Sequence, residues 1–236
     1  MSFATTFKRL RASLADSAGT IVFGMEDGTV SIFGLVFGVA ATTSNPATVL
    51  IAGASGAVAA AISMMAGAYL DVETTRDENR ARRVSLQSVL TGDDGAITTL
   101  VPTRLVAAGL SVEQSTALVG AVRHDRIALS GLLVAIDGTS TAPLNPYEQA
   151  LWMLLADFAA AAVPILPFVF LPIAAARFVS VAVTIALLIA LGVGRALIAR
   201  RGIVRTVLET VAVGVAAALG GVGISVLIDR TFTGWG

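Results

Sequence analysis

Five long apolar segments run along the chain, and a longer mixed segment separates the second from the third. A helix needs about 20 apolar residues to cross the roughly 30 Å hydrocarbon core of a bilayer, and each segment meets that length. The pattern therefore predicts an all-α integral membrane protein with five transmembrane helices. The predicted spans cover about residues 19–41, 47–70, 148–170, 178–199 and 206–228.

The segment 71–147 loses the continuous apolar character and predicts a small three-helix insert between the second and third spans. Its first helix should end at Gly109, and SVEQ at 111–114 has the pattern of a capping box that opens the second helix. Asp125 should then cap a third helix that ends near Ile136. The sequence thus predicts three divisions. Residues 1–70 hold an amphipathic lead-in and the first two spans, residues 71–147 form the insert, and residues 148–236 hold the last three spans.

Composition agrees with a membrane protein, because only 14% of residues are charged and 56% are hydrophobic, against about 25% charged in soluble domains. The zero net charge argues against nucleic acid as a partner. The chain has no cysteine, which excludes disulfides, zinc fingers and iron–sulfur clusters. His124 is the single histidine, and its position at a helix junction favours a structural role.

Basic residues predict the orientation. Fourteen of the 16 Lys and Arg residues fall in the N-terminus, the insert and the 195–205 loop, and only Arg177 and Arg230 fall on the opposite side. The positive-inside rule therefore places the N-terminus and 71–147 in the cytosol and the C-terminus outside. The strong preference for arginine over lysine indicates a GC-rich genome, and hence a bacterial plasma membrane.

The first span carries two adjacent acids, Glu26 and Asp27. Asp27 lies about eight residues from the cytosolic end, roughly 12 Å deep and near the middle of the bilayer core. A carboxylate at that depth is costly and normally faces a partner or a water-filled path. Asp27 is therefore a candidate cation or proton site, and the alternative is a protonated carboxyl bonded to a neighbouring helix. Glu26 is either a supporting ligand or an interhelical hydrogen-bonding group.

Small residues also line the first span. They form two GxxxG pairs, a spacing that lets membrane helices approach closely, at Gly24, Gly28, Gly34 and Gly38. This spacing predicts either a two-fold dimer packed through that helix or a close contact within the chain.

Three further side chains are candidates. Met64 lies on a stripe of small residues in the second span, and its thioether suits a soft or borderline metal in a weak, transient site. Asp157 in the third span could relay protons, line the path or bond a neighbouring helix. Glu209 follows Arg205 by four residues, which predicts an ordinary surface ion pair.

The sequence contains no nucleotide-binding loop, GxSxG elbow or HExxH motif, so we expect no enzyme. A transporter is the leading interpretation. The alternatives are transport of another small solute, or a membrane scaffold whose insert docks a soluble partner while the intramembrane acids are structural.

Four segments resemble the vacuolar iron transporter family. MEDGTVSIFGLVFGVA is similar to its first span, AISMMAGAYLDV to its second, and NPYEQALWMLLADFAAAAVPILPF to its third with the paired prolines. LVAAGLSVEQSTALVGAVRHDRIALSGLLVAIDG is similar to its cytosolic segment. The resemblance runs from about Ser17 to Asp229.

The resemblance implies a homodimer whose first spans line a path that exchanges ferrous iron or manganese for protons, with no permanently bound cofactor. Asp27 falls on the family's path carboxylate and Met64 on its path methionine. The insert departs from the family because it lacks the glutamates of a metal-collecting domain. Between Arg83 and Pro146 its only acids are Asp93, Asp94, Glu113, Asp125 and Asp137.

Overall fold

The structure is a computed structural model that describes residues 3–91, 94–122, 125, 128, 131–132 and 145–232. Within these residues every regular element is a helix, which confirms the all-α prediction. The helices are α1 (Phe3–Asp16), α2 (Ala18–Thr42), α3 (Pro46–Thr91), α4 (Asp94–Ala107), α5 (Val112–Val122), α6 (Pro146–Ile165), α7 (Pro167–Phe170), α8 (Ile173–Ala199) and α9 (Ile203–Phe232).

Five of the described helices are long and apolar enough to cross a membrane, namely α2, α3, α6, α8 and α9. They coincide with the five predicted spans, so the five-span architecture is confirmed. The prediction was wrong at the end of the third span, which was expected to reach residue 170. Helix α6 ends at Ile165 and Pro167 begins the short α7, because proline has no N–H with which to continue the helical hydrogen bonds.

The chain divides into two compact units. The first contains residues 1–70 and 145–236, and the second contains residues 71–144. The first unit holds all of the apolar helices except the part of α3 that follows residue 70. It is therefore the unit in which an intramembrane site has to be sought.

Helix α2 is the central helix of the first unit and packs against α6, α8 and α9. Its first glycine pair faces α6. A Cβ added to Gly24 would lie 2.8 Å from the Met153 sulfur, and one added to Gly28 would lie 2.8 Å from Oδ1 of Asp157. At Gly24 the flexible Met153 side chain could move aside. At Gly28 the added atom would also lie 2.9 Å from the carbonyl carbon of Asp157, so the close approach of α2 to α6 requires glycine at this position.

The second glycine pair of α2 faces α9. A Cβ on Gly34 would lie 2.8 Å from the carbonyl oxygen of Ala217, and one on Gly38 would lie 2.6 Å from that of Gly221. The two GxxxG pairs thus contact two different helices of the same chain. The GxxxG spacing predicted either a dimer contact or a close contact within the chain, and these glycines form the close contact within the chain.

An apolar core joins α2, α3, α6 and α8 towards the C-terminal end of α2. Its buried members are Ile32, Val36, Ala40, Val49, Ala57, Ala161, Ile165, Phe168 and Ala176. Nearby, the side chain of Arg177 on α8 donates hydrogen bonds to the carbonyl oxygens of Ala40 and Thr43. A cation at a helix C-terminus satisfies free carbonyl groups and favours the helix dipole, so Arg177 stabilises the end of α2.

In the second unit the capping box predicted at 111–114 is present. The Gln114 side chain accepts from the Ser111 N–H at 3.0 Å, and the Ser111 hydroxyl accepts from the Gln114 N–H at 3.1 Å. Gly109 has a φ of 103°, the left-handed conformation that ends the preceding helix. Asp125 accepts from the Ala128 N–H at 3.0 Å, as expected of a cap, but most of the predicted third helix lies outside the described residues.

A glycine in the contact between α2 and α9 and a glycine with open space around it should respond differently to alanine substitution in their effect on stability. Gly34→Ala would force its methyl group against the Ala217 carbonyl, and overpacking costs about 1–3 kcal/mol. Gly194→Ala has nothing within 4 Å of the new methyl group and should stabilise α8 by up to about 1 kcal/mol. Thermal unfolding in detergent should therefore shift down for the first variant and up or not at all for the second. An unchanged unfolding temperature for Gly34→Ala would contradict the described packing.

Candidate functional site

The two acids of α2 line one cleft of about 150 Å³ between α2, α8 and α9. The lining residues are Phe23, Glu26, Asp27, Val30, Arg195, Thr210 and Val213. The cleft thus brings together two carboxyl groups, one guanidinium group and one hydroxyl group on apolar walls. Oxygen ligands of this kind suit a hard or borderline divalent cation.

Glu26 is held by both neighbouring helices. Its Oε2 lies 3.3 Å from Nη1 of Arg195 on α8, and its Oε1 accepts a hydrogen bond from the Thr210 hydroxyl on α9 at 3.1 Å. Only 13% of the Glu26 side chain is exposed, against 43% of the Arg195 side chain. Glu26 thus bonds to two neighbouring helices, which matches the interhelical hydrogen-bonding role that was one of its two predicted roles.

Asp27 is half-buried, and within the described part of the chain no hydrogen bond or ion pair to it is found. It lies on the outward side of α2. Between residues 19 and 35 the exposed residues of this helix are Gly19, Phe23, Ser31 and Leu35. Asp27 takes the middle position of this four-residue repeat, so it faces both the cleft and the outer surface of the chain.

Asp157 lies on the opposite side of α2, at the contact with Gly28, and is fully buried. Neither of its oxygen atoms has a hydrogen-bond partner among the described residues. The structure therefore brings Glu26, Asp27 and Asp157 to one level of the bundle, two in the cleft and one behind it.

Met64 is half-buried on α3 and does not line the cleft. Its helix passes α6 near residue 69, where the Tyr69 and Tyr147 ring centroids are 5.4 Å apart. Met64 is about one and a half turns from this ring contact, in the same half of the bundle as the cleft. Within one chain, the structure does not bring the predicted methionine and carboxylate together.

The remaining candidates have separate positions. Glu209 forms the predicted ion pair with Arg205 at 2.9 Å on the exposed face of α9. Glu113 is exposed on α5, whereas His124, Asp93 and Asp137 lie outside the described residues. Among the described residues, no group of three His, Cys, Asp or Glu side chains is arranged to hold a metal ion.

Sequence reasoning missed Arg195 and Thr210. The sequence predicts for Arg195 only a place among the basic residues of the cytosolic side, and it gives no signal for Thr210. The available signal was position, because Arg195 lies within the apolar run of α8 and not after it. A charge inside a span calls for a partner of opposite sign, and Glu26 is one of three intramembrane acids for which the sequence predicts no specific partner.

The five apolar helices define an integral membrane protein, and a cleft between three of them carries two carboxyl groups. A comparison with protein families matches residues 18–226 to the VIT family, the vacuolar iron transporters. The chain belongs to this family, whose members transport metal ions across membranes and are not enzymes. A comparison with individual curated proteins finds no significant match.

The burial of Asp157 without a partner predicts an unusual response to truncation. A buried polar group that lacks a hydrogen bond costs about 1–3 kcal/mol, so Asp157→Ala should unfold at the same or a higher temperature than the wild type. Ser180→Ala is the matched control, because the equally buried Ser180 hydroxyl donates to the Pro164 carbonyl at 2.8 Å. The free energy of unfolding of Ser180→Ala should fall by roughly 1 kcal/mol. A larger loss of stability for Asp157→Ala than for Ser180→Ala would reveal a stabilising partner of Asp157 and contradict its description as a buried group without a hydrogen bond.

Proposed function

We propose that this protein is a proton-coupled transporter that moves a divalent transition metal, ferrous iron or manganese, out of the cytosol along a path lined by α2. The observation that carries the proposal is Asp27, a carboxyl group in the interior of a membrane span with no described hydrogen-bond partner. Membership of a metal-transporting family supports the choice of a metal ion as the substrate.

The outward stripe of α2 supports a homodimer. Its exposed residues repeat every four positions, and the stripe includes two polar side chains, Asp27 and Ser31. Lipid is a costly neighbour for a carboxylate, whereas a second copy of the same helix would cover the stripe and enclose Asp27. We therefore place the path between two subunits, with Asp27 of each subunit facing it.

Carboxylate oxygens explain how metal and protons are exchanged. The same oxygen atoms bind either a divalent cation or protons, so each displaces the other and the two fluxes are coupled. Asp157 adds a further carboxyl group, which is buried against Gly28 with neither oxygen bonded among the described residues, and we assign it a supporting role in proton binding. Met64 supplies the soft donor in this proposal, reaching the ion from α3 once the second subunit has assembled.

The orientation follows from the distribution of basic residues. Fourteen Lys and Arg residues on the side of the N-terminus and the insert favour a cytosolic location for both. With this orientation the cleft lies nearer the cytosolic end of α2, where a metal ion would be taken up before export. A bacterial plasma membrane is the proposed location.

Asp27→Asn tests the central residue. Asparagine keeps the size of the side chain and most of its hydrogen bonding but removes the charge, so the variant should fold normally and lose most manganese flux in proteoliposomes. The physical reason is that attraction of a divalent cation to a neutral amide is far weaker than to a carboxylate in a site of low dielectric constant. Asp16→Asn is the control, since Asp16 is exposed at the end of α1. Wild-type flux from folded Asp27→Asn would remove the proposal.

Met64→Leu tests the soft donor. Leucine conserves volume and apolarity, and such replacements usually cost less than about 1.5 kcal/mol. Manganese and iron flux should fall while the unfolding temperature stays close to that of the wild type. The adjacent Met65 is equally half-buried, so Met65→Leu is the matched control and should retain flux. Equal flux in the two variants would assign Met64 a packing role only.

A further inference from the structure

The lining of the cleft includes one positively charged side chain, that of Arg195. The charged lining residues are Glu26, Asp27 and Arg195, and the guanidinium group of Arg195 lies 3.3 Å from Glu26. With both acids ionised the three groups sum to one negative charge. A divalent cation added beside Arg195 would leave an excess positive charge, whereas one added in place of Arg195 would be neutralised by the two carboxylates. Charge balance in a site of low dielectric constant therefore favours replacement.

The two partners of this ion pair differ in how firmly they are held. Glu26 is largely buried, and its second oxygen remains bound to the Thr210 hydroxyl on α9 when the arginine moves away. The Arg195 side chain is almost half exposed and lies one turn before the end of α8 at Ala199. A long, partly exposed side chain near a helix end can swing towards water, so Arg195 is the member that leaves.

We propose that Glu26 and Asp27 form a two-carboxylate site for a divalent cation and that Arg195 is its tethered counter-ion, which the cation displaces on binding. The inference rests on the proposed function because the same cleft is assigned as part of the transport path. It adds Glu26 as a ligand and makes Arg195 the residue that sets the affinity at the mouth of the path.

Manganese affinity of the purified full-length protein tests this directly, because bound Mn²⁺ loses its sharp paramagnetic resonance signal whether or not transport occurs. Arg195→Gln removes the competing cation and should lower the Kd for Mn²⁺ by about two- to fivefold, the range that a partly exposed ion pair supports. Glu26→Gln should raise the Kd. In the Glu26→Gln background, Arg195→Gln should have a smaller effect, since Arg195 and the cation then no longer compete for Glu26 and only their mutual repulsion remains.

Arg205→Gln is the matched control. It removes the same charge from an ion pair of similar length, 2.9 Å to Glu209, outside the cleft. Its Kd for Mn²⁺ should equal that of the wild type. An equal fall in Kd for Arg205→Gln would mean that only the general surface charge matters and would overturn the proposal.

A purely structural role for Arg195 gives a different pattern. Arg195→Gln would then lower the unfolding temperature and leave the Kd unchanged or raised, and either result would overturn the proposal, as would absence of Mn²⁺ binding in both wild type and Arg195→Gln. Transport is measured separately. If Arg195→Gln tightens Mn²⁺ binding but no variant carries flux, the site stands and the proposed transport function fails.

Discussion

The close approach of α2 to α6 and α9 is the constraint on which the rest of the structure depends. Gly28 touches Asp157 and Gly34 touches Ala217 at distances that leave no room for a methyl group. Membrane helices associate largely by such packing, because lipid is as apolar as their side chains. The approach fixes the rotation of α2, and that rotation directs Glu26 towards α8 and α9 and leaves Asp27 on the outward stripe.

The acids of the site differ because the same packing gives them different surroundings. Glu26 has a guanidinium and a hydroxyl partner, whereas Asp157 is buried against Gly28 with neither oxygen bonded among the described residues. Asp27 shares the cleft with Glu26 but lies on the outward stripe of α2 and is half-buried. Unpaired carboxyl groups in a membrane span lower stability, and the proposed binding of ions and protons gives Asp27 and Asp157 a role that folding does not.

Much of this arrangement could be predicted from the sequence, because hydrophobic runs near the length of a bilayer crossing leave little choice of fold. Ser111 and Gln114 likewise predicted a capping box from local pattern alone. The partner of Glu26 could not be predicted, since Arg195 is 169 residues away and only helix packing brings the two together. The glycine pairs predicted close contacts but not which helices they contact, because the GxxxG spacing is the same for any partner.

The central claim is that metal movement and proton movement share the carboxyl groups of α2. The most direct measurement uses wild-type protein in sealed proteoliposomes that contain a pH-sensitive dye, with manganese added to one side only. The account predicts that manganese crosses the membrane and that the dye reports protons moving in the opposite direction, with neither flux in protein-free vesicles. Manganese flux without a pH change, or no manganese flux from folded protein, would contradict it.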